Sequence, residues 1–87
     1  MTPLHIGMAG VSAEGAALCY RTICTEGPAL LGPHARPEVT LHTPSFAAHV
    51  KCLESGDWAG VGALLLDSAR KLAAAGADFV ICPDNTA

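Results

Sequence analysis

The chain reads as an α/β protein, a three-layer sandwich around a mainly parallel sheet of about three strands. Three observations predict it. Two short apolar runs, Leu4-His5-Ile6-Gly7-Met8-Ala9 and Phe79-Val80-Ile81-Cys82, are bounded by Gly or Pro and suit strands buried on both faces. A third run, Glu38-Val39-Thr40-Leu41-His42-Thr43, alternates with period two and carries β-branched residues. Stretches of helical period separate the three, and the order strand, helix, strand, helix pair, strand implies right-handed crossovers.

Each element has its own signals. After the first strand, Ser12 can accept hydrogen bonds from free helical amides, and Ala16, Ala17, Cys19, Tyr20 and Ile23 follow at helical spacing. A helix is expected from about Ala13 to Thr25, stopped by Gly27-Pro28, with a turn-rich connector from Gly32 to Pro37. Pro44 ends the second strand. Ser45 is the expected cap of a short helix closed by Gly56. Asp57 then caps a longer one, whose inner side is Val61, Leu64, Leu65, Ser68, Leu72 and Ala75 and whose stop is Gly76. The last strand, apolar from Phe79 to Cys82, is expected to be central, with Cys82 a small core residue.

Composition bounds the function. The 87 residues are 51% hydrophobic and 15% charged, enough for one small domain and too apolar for a disordered tail. Net charge is −3 with no basic run, which disfavours nucleic acid and anionic membranes as partners. The longest nearly apolar stretch, Ala59 to Leu66, falls short of the roughly 18 to 20 residues of a membrane span. Met1 to Gly10 lacks the cationic lead and apolar core of a signal peptide, so the expected location is cytoplasmic, with the thiols of Cys19, Cys24, Cys52 and Cys82 reduced and no metal site in their spacing. A three-stranded sheet whose last strand has no following helix leaves apolar surface and edge amides in water. The chain is therefore expected to be completed by further sequence or by another copy.

In an open α/β sheet the ligand crevice lies at the carboxyl ends of the strands. Three segments are delivered there: Gly10 to Gly15, Thr43 to Phe46, and Pro83 to Thr86. They are rich in hydroxyls, amides and helix-start N–H groups, which suits a small organic anion. Ser12 and Ser45 also suit plain helix capping, a role compatible with binding. No G-x-G-x-x-G or phosphate-loop pattern favours a nucleotide. His42, near the end of the second strand and able to face the crevice, has no carboxylate partner placed by sequence and is read as structural or solvated. His5, His34, His49, Trp58 and Phe46 are read as structural or packing residues, and Asp67 with Lys71 as a solvated i, i+4 pair.

Several pieces in order, namely Ile6-Gly7, Ser12 to Arg21, Glu38 to His42, Gly56-Asp57-Trp58, the Ala73 to Phe79 junction and Pro83-x-Asn85-Thr86, resemble the N-terminal part of aspartate/glutamate racemases, within the wider aspartate/glutamate/hydantoin racemase group. The resemblance spans nearly all 87 residues, as an N-terminal α/β domain, incomplete at its C-terminus, of a larger two-domain fold. It implies racemisation of a small acidic amino acid without pyridoxal phosphate, metal or other cofactor, by two acid/base residues on opposite faces of Cα. With the open sheet, the expected assembly is a homodimer or association with a missing C-terminal half. Asn85 and Thr86 match the motif that holds the substrate carboxylate, and Ser12 and Ser45 complete the expected binding set. The family's first thiol falls on Asp84, so this chain carries a carboxylate there. A free thiol and a free Asp differ by about 4.6 pKa units, roughly 6 kcal/mol of basicity, which makes Asp84 a much weaker base unless burial raises it. Cys82 is displaced from that position by about 6.6 Å along an extended strand. Alternatives consistent with the exchange are a one-thiol decarboxylase or cis-trans isomerase of a small dicarboxylate, or a non-catalytic binding fragment.

Overall fold

A computed structural model of the chain describes residues 4–83. Six elements follow one another: β1 (His5–Ala9), α1 (Ala13–Leu31), β2 (Glu38–His42), α2 (Phe46–Glu54), α3 (Trp58–Ala74) and β3 (Phe79–Ile81). The fold is α/β, with a parallel sheet of order β2-β1-β3. Register runs from His5 opposite Glu38 to Ala9 opposite His42 on one side, and from Ile6 opposite Phe79 to Met8 opposite Ile81 on the other.

Strand alternation assigns the layers. A Cβ built on Gly7 would meet Leu72 Cβ of α3 at 3.1 Å, so His5, Gly7 and Ala9 face α3. The next residue, Ile6, lines a groove with Thr22, Ile23 and Gly27 of α1, so Ile6 and Met8 face α1. The helices therefore cover opposite faces, with α2 packed on α3. From β1 to β2 the chain moves one way across the sheet with α1 on one face, and from β2 to β3 it moves back with α3 on the other. Reversing direction and face together keeps one hand for both crossovers.

The core is Met8, Ala9, Val11, Ala16, Val61 and Leu72, with His49 and Ser68 buried among the helices. The apolar run of β1 is explained by its central place. Among the described residues β3, expected to be central, pairs with β1 alone, and Phe79, Val80 and Cys82, the last expected in the core, are exposed there. A continuous apolar run shows that both faces of a strand can be buried, but it does not say how many neighbours the strand has.

Helix ends follow the sequence with two corrections. Gly27-Pro28 does not stop α1, which runs on to Leu31 with Pro28 inside it and Gly32 at its C-cap with φ 110°. Pro28 costs one backbone bond, but the helix is held there by Gly27, which is buried so tightly that an added Cβ would come within 2.8 Å of Arg36 Cβ. Ser45 precedes α2 but its side chain makes no capping bond, and its carbonyl instead accepts from Ala48 N–H at 3.0 Å. Asp57 caps α3 as expected, accepting from Gly60 N–H at 2.8 Å, and Gly76 follows the helix with φ 97°. Of the inner side expected for α3, Val61, Ser68 and Leu72 are buried, Leu64 and Leu65 are half-buried, and Ala75 is exposed.

Candidate functional site

The first two expected loops meet at the carboxyl end of the sheet. Gly10 N–H donates to His42 C=O at 3.0 Å, extending the ladder one step beyond the paired strands. A Cβ on Gly10 would lie 2.7 Å from Thr43 Cγ2 and 2.9 Å from Ala16 Cβ, so only a residue without a side chain lets the loop after β1 and the loop after β2 close together. Because α1 and α3 lie on opposite faces, the two loops leave the sheet in opposite directions beyond this junction.

Ser12 stands at the N-terminus of α1 in extended conformation (φ −101°, ψ 151°). Its Oγ accepts from Gly15 N–H at 3.2 Å and its C=O from Ala16 N–H. Ser45 is exposed beside Thr43, with its hydroxyl unused for capping. Cys82 follows the tip of β3. Asp84, Asn85 and Thr86, the expected catalytic and carboxylate-holding residues, lie outside the described residues. Two of the five expected site residues are thus located, on adjoining loops.

Local reading of the sequence missed the polar pairs on the α3 face. His42 Nδ1 lies 2.7 Å from Ser68 Oγ, joining the tip of β2 to the middle of α3, and His5 Nε2 lies 2.7 Å from Thr40 Oγ1 across the β1–β2 pair. Asp78 accepts from His5 N–H at 2.7 Å while its own N–H donates to His5 C=O at 2.8 Å, fastening the start of β1 to the start of β3. The only sequence signal for these was the alternation that sets His5, Thr40 and His42 on one face. Their partners lie 26 to 73 residues away and obey no local spacing. His49 Nε2 is buried with no hydrogen-bond partner among the described residues. Phe46 and Trp58, read as packing residues, are exposed near the starts of α2 and α3. Asp67 and Lys71 form the expected surface pair at 3.1 Å.

Among the described residues, no helix is long and apolar enough to cross a membrane. The chain matches no protein-family model and no curated protein.

Proposed function

We propose that the chain supplies half of the active site of a cofactor-independent amino-acid racemase of the aspartate/glutamate type, acting in the cytoplasm in amino-acid metabolism. The observation that carries this function is the ordered set of sequence motifs ending in Asn85-Thr86, on a parallel β2-β1-β3 sheet whose first two loops adjoin at the strand tips. In this scheme Asn85, Thr86 and the Ser12 loop hold the α-carboxylate, and Ser45 borders the same crevice. Asp84 exchanges the α-proton on one face, and a second acid/base group on the opposite face comes from a C-terminal half or a second copy. Racemisation needs two such groups because the proton removed from one side returns from the other.

The carboxylate at position 84 favours a second function on the same crevice, a one-thiol decarboxylase or cis-trans isomerase of a small dicarboxylate, which delivers a proton to one face only. Chiral chromatography separates the two. A full-length protein offered aspartate and glutamate in D2O is expected to yield the D-enantiomers with deuterium at Cα. Unchanged L-amino acids after prolonged incubation defeat the racemase, and deuterium uptake with retained configuration favours the one-face chemistry. Calorimetric binding of aspartate without turnover would identify a binding module instead.

A further inference from the structure

Resting on the carboxylate-binding crevice proposed above, but not on turnover there, we infer that His42 is a ligand-binding residue of that crevice. It donates from Nε2–H to a small carboxylate, and Ser68 is the positioning residue that fixes its tautomer. His42 is the last residue of β2, half-buried, and its own C=O accepts from Gly10 N–H at the junction of the two loops. Its Nδ1 is 2.7 Å from Ser68 Oγ, and Ser68 is 1% exposed.

Burial decides which atom carries the proton. If Nδ1–H donated to Ser68 Oγ, the serine O–H would be left in the interior without an acceptor, since Ser68 has no other side-chain hydrogen bond among the described residues. An unsatisfied buried donor costs about 1–3 kcal/mol, which is roughly five- to 150-fold in the balance of the two tautomers. With the hydroxyl donating to Nδ1 both groups are satisfied, and the neutral imidazole carries its proton on Nε2. Nε2 makes no hydrogen bond among the described residues, so this N–H is available to a ligand. An N–H donor at a strand tip suits a carboxylate oxygen and offers nothing to a cation.

Long-range 1H–15N correlation spectra of the 15N-labelled 87-residue chain test this directly. The Nε2–H pattern is expected for His42, and titration with aspartate, glutamate or malonate is expected to move its Nε2 resonance. Ser68→Ala should let both tautomers appear, and Ser68→Thr should restore one. His42→Phe should weaken aspartate binding about tenfold or more, the loss of one hydrogen bond to a charged group. Circular dichroism identifies any variant that has lost its fold, and the wild-type spectra decide without it. An Nδ1–H tautomer, or a His42 resonance indifferent to all three acids, overturns the inference. Racemisation by a full-length protein with His42 unmoved removes this inference alone. A His42 that responds to aspartate in a protein that turns nothing over removes the racemase and leaves this site standing.

Discussion

The two faces of the sheet are built differently. On the α3 side, the strand side chains engage specific partners: Leu72 packs against Gly7, Ser68 bonds His42, and Thr40 bonds His5. On the α1 side, a helix of 19 residues buries only Ala16 and Gly27, while Leu4, Leu41 and Phe79, which alternation turns to that face, remain exposed. A groove of about 370 Å³ separates Ile6 from the second half of α1. One face is therefore fixed by close contact and matched polar pairs, and the other by a few small residues. Fold stability should depend mainly on the first.

Substitutions can break that contrast. Leu72→Ala is expected to have the largest effect, about 2–5 kcal/mol lost in urea unfolding, because it empties the center of the α3 contact at a side chain 1% exposed. A smaller loss would mean that α3 repacks and that the faces are more alike than they look. Gly7→Ala should cost about 1–3 kcal/mol by the same measurement, since its Cβ would sit 3.1 Å from Leu72 Cβ of α3 and 2.9 Å from Ala77 Cβ in the loop after it, forcing β1 away from both. His49→Leu sharpens the comparison by its opposite sign: removal of a buried, unpartnered Nε2 at similar volume should leave the unfolding midpoint unchanged or raise stability by up to about 1 kcal/mol. Leu30→Ala on the α1 side, at a position 86% exposed, should change stability by less than about 0.5 kcal/mol. A loss of several kcal/mol there would show that α1 is held far more firmly than its buried residues indicate.

Much of this architecture was legible in the residues. The first strand, the Ser12 and Asp57 caps, the Gly76 stop and the buried stripe of Val61, Ser68 and Leu72 follow local rules of period and capping, and they stand as expected. What was misread depends on distant neighbours. Pro28 ends a helix by local chemistry, yet contacts with the Ala35-Arg36 connector carry α1 through it. The order of strands decides whether Phe79-Val80-Ile81 is central, and order is a property of the whole chain. For the site, Ser12 was legible as a cap, whereas Ser45 lacks its capping bond. Ser68 was visible only as a small residue on a buried stripe until the sheet brought His42 to it.

The central position of β1 sets the order in which the molecule can assemble. Of the three strands, the earliest made is the one that both later strands flank, and its backbone is fastened at His5 to Asp78, 73 residues along. Local helices can form as they emerge, but the three strands cannot all pair until β3 has been synthesised. Such non-local pairing slows folding and leaves one edge of the apolar first strand open until β3 arrives. During translation, that waiting strand is where a chaperone would be needed most.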